Sequence, residues 1–591
     1  MTARGRVALK TAVWLVALAP LAHLVWAWWT DGLTVNPIEY VTRQLGETAI
    51  RLLLATLALT PIRLLFGVSW PITLRRLLGL FAFFYVTLHF AVWIVLDHFF
   101  DWRTMGDDIA KRPWITVGVT AFLLLVPLAA TSTTGMIKRL GGATWRRLHQ
   151  LIYVAGVLGA ALAGCASAPA AGGRAAVATP TREVLPNGVV LISQDHRAAG
   201  LVALQLWLRV GGRDETPMEL GLSHYLEHML FKGTPTRPPG SIDRLIEGFG
   251  GSSNAFTSYD FTHFDVVVPA AHLQPAMELL ADIAVNAAFV PAELDSEKKV
   301  VFEEMNLTED DPEKFLSRRL SEVAYQGHPY GRPILGTREL IQALTRDRLN
   351  AYYKKYYVPK NMTLVVVGPV TTAQVRPLAL ATFGRLSGPP TPRPPAPPVP
   401  PLTGGRRDDI KRPEQQAYLG LAWHAAANAL ASEDIPAVDL LSAVLGDGPA
   451  SRLNQTVREE KGLVHAIEAI YVTRELSGTV AITARLDAKN LAAAEAAILE
   501  VIRRVKADGI TEAERQRVVV TAESAYAFDI ETAEGLARSY GQAETTWTLE
   551  NELAYLARVR QVTAAQIQAA ARKYLAEDAV ARVRFLPAET R

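Results

Sequence analysis

Two histidines and a glutamate near the middle of the chain have the spacing of a metal-binding helix. In His224-Tyr-Leu-Glu227-His228 the histidines are four residues apart, so they lie on one face of an α-helix and can bind one ion. Glu227 can reach a water molecule on that ion and act as a general base. The order is the reverse of the common His-Glu-x-x-His zinc motif. A buried polar cluster is the alternative interpretation of these three residues taken alone.

A catalytic zinc ion usually has three protein ligands and one open position. Residues 293–306 predict an amphipathic helix in which Glu297 and Glu304 lie two turns apart on one face. Their neighbours Glu293, Asp295 and Glu303 fit a solvated face better. The sequence therefore offers two inward-facing carboxylates to a zinc site.

Residues 1 to about 165 are dominated by apolar runs, five of which are long enough, or nearly so, to cross a membrane. These predicted spans are residues 9–29, 48–66, 77–100, 114–131 and 148–164. Lys and Arg concentrate before the first span, between the second and third, and between the fourth and fifth. This pattern predicts a cytoplasmic amino terminus, with everything after the fifth span outside.

His23, His89 and His149 lie within or at the ends of these spans, where an ionisable side chain is costly and is a candidate haem ligand. The basic residue nearest before each span marks its cytoplasmic end. At about 1.5 Å per residue, His89 and His23 both lie roughly 20 Å along their helices from that end. His149 lies only about 3 Å up, so His89 and His149 cannot bind opposite faces of one iron. His23 is the alternative second ligand. For all three histidines, a hydrogen bond to a neighbouring helix is the alternative to haem binding.

Residues 10–158 resemble the haem-binding membrane subunit of the bacterial periplasmic methionine-sulfoxide reductase system. The resemblance rests on Arg76-Leu-Leu-Gly-Leu80, Thr87-Leu-His89, Ala130-Thr-Ser-Thr-Thr134 and Trp145-Arg-Arg-Leu-His149. It implies a location in the bacterial inner membrane, where electrons pass from the quinone pool or from FMN, through haem b, to a periplasmic molybdenum-containing methionine-sulfoxide reductase. Two features depart from the family. Leu162 stands where the family has a further histidine, and the family's sixth helix is absent.

The segment that follows resembles a bacterial lipoprotein signal. A basic flank and an apolar run end in Leu162-Ala-Gly-Cys165, and residues 166–180 are a tether of small residues. Lipidation of Cys165 is therefore predicted; a small apolar residue at a helix end is the alternative. Cys165 is the only cysteine, so the chain has no intrachain disulfide and no cysteine-based zinc site. A genuine fusion and two neighbouring genes read as one both fit this junction.

Residues 180–588 resemble the pitrilysin-type (M16) metallopeptidases, the group of mitochondrial processing peptidase and insulin-degrading enzyme. The resemblance rests on the motif His224-Tyr-Leu-Glu-His228-Met-Leu-Phe-Lys-Gly-Thr234. It implies that Glu304, seventy-six residues after His228, is the third zinc ligand and that Glu297 supports the site.

The same resemblance implies two places where substrate binds. Around Asn254 and Ala255, residues 250–258 resemble the edge strand to which extended peptides are added. In the family's metal-free second half, Arg458 matches a residue that contacts the peptide, and His465 stands where the family usually has a tyrosine.

The sequence thus predicts a multidomain chain in which an all-α transmembrane bundle of about five helices precedes two α+β halves that form a clamshell. The predicted segments are 1–160 (ferric-reductase-like haem-binding domain), 161–181 (junction and tether), 182–387 (zinc-binding half), 388–408 (Pro-rich linker) and 409–591 (second half).

The predicted function is zinc-dependent cleavage of unfolded peptides on the periplasmic side, by a membrane-bound protein or a released lipoprotein. A homologous partner subunit or a second copy is the expected protein partner. Electron transfer as the main duty and a peptide-binding subunit without activity are the alternatives. The net charge of +3, without basic clusters interleaved with aromatic residues, excludes nucleic-acid binding.

Overall fold

The computed structural model describes residues 3–29, 37–66, 70, 74–97, 105, 113–153, 156, 179–389 and 393–588. The chain divides into two compact units, Met1–Ala175 and Ala176–Arg591, called here the membrane unit and the peptidase unit. Leu162 and Cys165 lie outside the described residues, so the predictions made for them stay predictions.

The described part of the membrane unit is helical. Its helices are α1 (Ala3–Trp29), α2 (Pro37–Phe66), α3 (Arg75–Val92), continued by one π-helical turn (Trp93–Asp97), α4 (Pro113–Ala130), α5 (Thr134–Leu140) and α6 (Gly142–Leu148). Two stretches of this unit, Leu9–Ala27 and Arg75–Val95, are long and apolar enough to cross a membrane, and Ile115–Ala130 is apolar but shorter. The predicted second span lies inside α2, and most of the predicted fifth span lies outside the described residues. A bundle of five spanning helices is therefore not confirmed.

Helices α1 and α3 run in the same direction. Trp14 packs edge-on against Phe81 at a ring-centroid distance of 4.7 Å. One turn further along α3, the hydroxyl of Tyr85 donates a hydrogen bond to the Ala17 carbonyl (2.7 Å) and accepts one from the Leu21 amide (3.3 Å). Position 89, one more turn along α3, therefore comes level with about position 23 of α1.

The first half of the peptidase unit is a six-stranded sheet in the order β1-β2-β6-β3-β5-β4. The predicted strand pair around Asn187-Gly188 is present as β1 and β2, and Gly188 has the positive φ (98°) that the turn requires. The strands are β1 (Thr181–Val184), β2 (Val190–Asp195), β3 (Leu201–Leu208), β4 (Ser252–Thr257), β5 (Thr262–Pro269) and β6 (Met362–Gly368). The helices are α7 (Leu222–Leu230), α8 (Ser241–Gly248), α9 (Leu273–Asn286), α10 (Pro291–Asp310), α11 (Pro312–Ala324), α12 (Arg338–Gln342), α13 (Arg346–Tyr356) and α14 (Thr372–Ala381).

The second half repeats this succession around a five-stranded sheet in the order β7-β11-β8-β10-β9. Its strands are β7 (Arg406–Arg412), β8 (Ala417–Ala425), β9 (Ala466–Val472), β10 (Gly478–Leu486) and β11 (Ala581–Pro587). Its helices are α15 (Ile435–Gly446), α16 (Leu491–Asp508), α17 (Glu512–Asp529), α18 (Ala533–Thr546), α19 (Leu549–Gln561) and α20 (Ala564–Tyr574). In this repeat β9 corresponds to β4 and α17 corresponds to α10.

The two halves pack directly against each other instead of closing as a clamshell around a cleft. Helix α11 of the first half lies on strands β8 and β11 of the second sheet, and helix α18 of the second half lies on β3 and β6 of the first. Buried apolar side chains fill both contacts. The predicted clamshell within one chain is therefore replaced by a reciprocal exchange of helices.

The Pro-rich linker also takes part in packing. Arg393 pairs with Asp214 of the first half (2.7 Å) and with Glu475 of the second (2.7 Å), and donates a hydrogen bond to the Asp260 carbonyl. Strand β7 begins at Arg406, inside the segment predicted as linker. The linker is thus an ordered connection at its Arg393 end and not only a spacer.

Candidate zinc site

Helix α7 carries the reversed motif and is held at both its start and its middle. Gly221 adopts a left-handed φ of 91° just before the helix. The buried carboxylate of Glu215 accepts hydrogen bonds from the Gly221 amide (2.9 Å) and the Ser223 amide (2.7 Å), which satisfies two otherwise unpaired N–H groups of the first turn. The Tyr225 hydroxyl donates to the Leu294 carbonyl on α10. The helix is therefore fixed relative to the segment that bears Glu304.

The structure brings His224, His228 and Glu304 together. Oε2 of Glu304 lies 3.4 Å from Nε2 of His224 and 3.5 Å from Nε2 of His228. Ligand atoms on a tetrahedral zinc ion with bonds of about 2.0–2.2 Å are roughly 3.3–3.6 Å apart, whereas a good N–H···O hydrogen bond spans about 2.7–3.2 Å. The three donor atoms lie within 4.8 Å of one another. Both the spacing and the donor types therefore fit a zinc ion.

The electrostatics of the two histidines differ. Burial lowers the pKa of His224 to about 4, so its ring is neutral and able to bind a metal at neutral pH. Burial acts the same way on His228, but the hydrogen bond to Glu297 and the negative charge of Glu304 outweigh it and raise the pKa of His228 to about 9. Without a metal His228 is thus protonated, and an arriving cation replaces its proton.

Glu297 supports His228 from the side opposite Glu304. Its Oε2 accepts a hydrogen bond from Nδ1 of His228 (3.0 Å), and its Oε1 lies 2.6 Å from the ammonium group of Lys232. Burial acts against ionisation, but the contacts with His228 and Lys232 hold the pKa of Glu297 below its usual value. The Glu297 carboxylate is therefore charged, and each of its two oxygens has a partner, His228 or Lys232.

Glu227, the predicted general base, lies on the same helix and touches the edge of the sheet. The Thr257 hydroxyl donates a hydrogen bond of 2.6 Å to its Oε2. Burial raises the pKa of Glu227 above its usual range, and the contact with Thr257 limits the shift. A carboxylate with a raised pKa is suited to take up and return a proton near neutral pH.

Strand β4 ends the first sheet, as predicted for residues 250–258. It pairs only with β5, in the register Asn254 with Asp265 and Ala255 with Phe264. Asn254 is exposed, and Phe256 is 53% exposed. The outer edge of β4 therefore has main-chain groups to which an extended peptide can add, next to the strand residue that contacts Glu227.

Arg458 and His465 lie apart from these residues. Arg458 lines a cavity of about 680 Å³ whose lining residues all belong to the second half. His465, just before β9, pairs with Asp487 at 3.1 Å and is half-exposed. Within the described chain neither contacts the zinc cluster, so their predicted role in substrate binding is not supported within a single copy.

The membrane histidines have different surroundings. His89 shares a hydrogen bond of 2.8 Å between its Nδ1 and the Thr42 carbonyl, and its ring packs on Gly46. Nε2 of His149 lies 3.1 Å from the Thr131 hydroxyl, and its ring packs on Trp145. His23 is exposed and contacts Trp26 of its own helix. The arrangement at His89 fixes the ring and leaves Nε2 for a ligand, as is usual for metal-binding histidines.

The peptidase unit has the fold and the candidate metal-binding cluster that are typical of metallopeptidases with the reversed motif, and it follows a helical membrane unit in the sequence. Residues 189–338 match "Insulinase (Peptidase family M16)", residues 343–519 match "Peptidase M16 inactive domain", and residues 45–160 match "Ferric reductase like transmembrane component". The chain therefore belongs to the M16 peptidase family in its peptidase unit and joins to it a ferric-reductase-like unit of the MsrQ type.

Each of the two units has its own relatives. The "Protein-methionine-sulfoxide reductase heme-binding subunit MsrQ" of Ralstonia nicotianae is 54% identical over 152 residues, which are 26% of this chain and 70% of the relative. The "Uncharacterized zinc protease YmxG" of Bacillus subtilis is 32% identical over 338 residues, 56% of this chain and 80% of the relative. The crystal structure of a protease from Helicobacter pylori has the same fold, with a TM-score of 0.66 and 24% identity over 70% of this chain and 100% of its own.

Proposed function

We propose that the peptidase unit is a zinc-dependent endopeptidase that cleaves unfolded or extended peptides on the periplasmic side of a bacterial membrane. The observation that carries this proposal is the spacing of the His224, His228 and Glu304 donor atoms, which suits a tetrahedral ion better than hydrogen bonds.

The residues of the site can divide the work of peptide hydrolysis. Zinc, when bound, would supply polarisation of the scissile carbonyl and acidification of a water molecule. Glu227 would take the proton from the attacking water and later give it to the leaving amine. Strand β4 would align the peptide through main-chain hydrogen bonds, with Asn254 and Ala255 at the contact, so the site would accept many sequences in extended form.

A substitution of the base tests this role. The full chain is expected to bind about one zinc ion at the site and to cleave an unfolded peptide in a chelator-sensitive way. Glu227→Gln should keep the zinc but lose most of the activity, because the base is removed and the ligands are not. Glu303→Gln is the matched control, since Glu303 lies beside Glu304 but hydrogen-bonds only to Asn306 among the described side chains. Chelator-sensitive cleavage by Glu227→Gln at the wild-type rate would contradict the assignment.

A second M16 chain, either a homologous subunit or another copy, is part of this proposal. Arg458 and His465 lie apart from the zinc cluster of their own chain, so a role in binding the peptide requires the second half of a partner. Cross-linking combined with activity of mixed zinc-site and Arg458 variants tests this arrangement, because only mixed pairs would recover activity.

We propose in addition that the membrane unit carries haem b and passes electrons outward. The name of its MsrQ relative supports this role, as does Nε2 of His89, for which the described residues provide no hydrogen-bond partner. The quinone pool or FMN as electron source, and a periplasmic molybdenum-containing methionine-sulfoxide reductase as acceptor, are proposed on the same resemblance. Electron transfer as the main duty, with the peptidase unit an accessory or a fused neighbour, is the alternative.

The junction decides whether the two units stay joined. If residues 162–165 act as a lipoprotein signal, the mature peptidase begins at a lipidated Cys165. Mass spectrometry of the amino terminus tests this, and an unmodified Cys165 still attached to Gly164 would rule it out.

A further inference from the structure

Lys232 extends the four-residue spacing of the two histidines on helix α7. His224, His228 and Lys232 follow one another at intervals of four residues, and the Lys232 amide still donates to the Met229 carbonyl (3.2 Å) just past the helix end. Its ammonium group therefore projects to the same side as the two imidazoles, where it meets Oε1 of Glu297 at 2.6 Å.

We propose that Lys232 is a positioning residue of the zinc site, which acts through Glu297 on His228. The ammonium group fixes one carboxylate oxygen of Glu297, and the other oxygen then holds Nδ1–H of His228, so that Nε2 points to Glu304. This inference rests on the proposed function, because it concerns the orientation of a zinc ligand.

The surroundings of Glu297 explain why a cation is needed there. Only 7% of its side chain is exposed, so an oxygen without a partner would be a buried, unsatisfied charge. Glu304 adds another carboxylate nearby, and its charge would repel a Glu297 that had lost Lys232. The Glu297 side chain would then turn towards solvent and release the His228 ring. Loss of such a supporting contact typically weakens metal binding about 10–100-fold.

Lys298 provides a matched control. It adjoins Glu297 in sequence, but its ammonium group pairs with Asp295 (3.3 Å) and the Gln342 carbonyl, away from the histidines. Replacing it removes the same charge from nearly the same place without touching the Glu297–His228 contact.

Zinc affinity of the full chain in detergent, measured by competition with a chromogenic chelator, tests the proposal. Lys232→Met should weaken zinc binding about 10–100-fold, Lys232→Arg should restore most of it, and Lys298→Met should have no effect. In a Glu297→Gln background, Lys232→Met should cause no further loss, because the residue through which it acts is already altered.

Two results would overturn the proposal: a Lys232→Met protein with wild-type zinc affinity, or one that loses the same factor in the Glu297→Gln background. If Lys232→Met does not fold, Lys232→Ala, which also leaves Oε1 of Glu297 without the ammonium group, gives the same comparison. Failure of the wild-type chain to bind zinc would instead disprove the proposed function, so the two failures are distinguishable.

Discussion

Gly541 of helix α18 lies directly against the buried indole of Trp207 on strand β3. A Cβ atom at position 541 would overlap the ring atoms of Trp207, whose Nε1–H is held by Gln205 (3.0 Å). This contact is where the second half of the peptidase unit packs on the sheet of the first. The zinc half is thus supported by a helix from more than three hundred residues away in sequence.

Gly541→Ala is therefore expected to destabilise the peptidase unit. The added methyl group forces apart a packed contact, which typically costs about 1–3 kcal/mol, more than the roughly 1 kcal/mol that alanine gains in a helix interior. Thermal unfolding should show a lower midpoint than the wild type. Gly248→Ala is the control, because a Cβ there meets nothing within 4 Å. Equal midpoints for Gly541→Ala and the wild type would contradict the observed packing of α18.

Glu215→Gln is expected to weaken both folding and zinc binding. Burial raises the pKa of Glu215 to about 8, although the amides of Ser223 and Gly221 favour its charged form. A glutamine can accept only one of these two hydrogen bonds and leaves a buried N–H unpaired, at about 1–3 kcal/mol. Thermal unfolding and zinc competition should both report the loss. Glu219→Gln, a half-buried carboxylate that accepts from the Thr216 amide, should change neither appreciably.

The raised pKa of Asp439 predicts that the stability of the peptidase unit depends on pH, and that replacing this residue removes the dependence. Burial raises the pKa of Asp439 to about 7, against the effect of the hydroxyl of Tyr555, which donates to it. An unfolded aspartate titrates near 3.9. The native state therefore binds more protons between about pH 4 and pH 7, and this residue's contribution to stability falls as the pH rises through that window.

Asp439→Asn should be as stable as the wild type near pH 4 and more stable at pH 8, by on the order of 1–4 kcal/mol, because the amide still accepts from Tyr555 without a buried charge. Unfolding midpoints at the two pH values measure the difference. Asp447→Asn is the control. Asp447 and Asp439 both line the cavity described for Arg458, but Asp447 is exposed. A variant with the wild-type pH profile would disprove the role of Asp439.

Local periodicity made the core of the zinc site predictable. A four-residue interval fixes His224 and His228 on one helix face, and a seven-residue interval does the same for Glu297 and Glu304. The Asn187-Gly188 turn follows from an equally local signal, whereas the edge strand at residues 252–257 was predicted from the family resemblance. The geometry that unites the two helices depended on the family resemblance, because His228 and Glu297 are 69 residues apart.

Contacts between distant segments were not predictable. Helices α11 and α18 each have an apolar face with helical spacing, but this period does not show which sheet that face covers. The exchange of the two helices between the halves was therefore missed, and a clamshell was predicted. Composition predicted a Pro-rich linker, but nothing in it showed that Arg393 would pair with Asp214 and Glu475. Glu215 was missed for the same reason, since a carboxylate that caps a helix from outside has no fixed spacing.

The haem prediction depends on which side chain faces His89 across the membrane unit. Nδ1 of His89 is engaged by Thr42, so Nε2 is the nitrogen that can bind iron. The parallel packing of α1 and α3 places His23 near the height of His89, whereas His149 is engaged with Thr131. The family's further histidine is replaced by Leu162 in this chain.

We therefore expect weak or five-coordinate haem at His89 unless His23 serves as the second ligand. Visible spectra of the full chain should show little low-spin haem, and His89→Ala should abolish binding because it removes the proposed ligand. Leu162→His should produce a six-coordinate low-spin spectrum if the missing histidine is the defect. If the wild type is already six-coordinate, His23→Ala decides the ligand: conversion to five-coordinate haem assigns His23, and an unchanged spectrum excludes it. A low-spin spectrum that survives both His23→Ala and His89→Ala would place the haem elsewhere and disprove the assignment of His89.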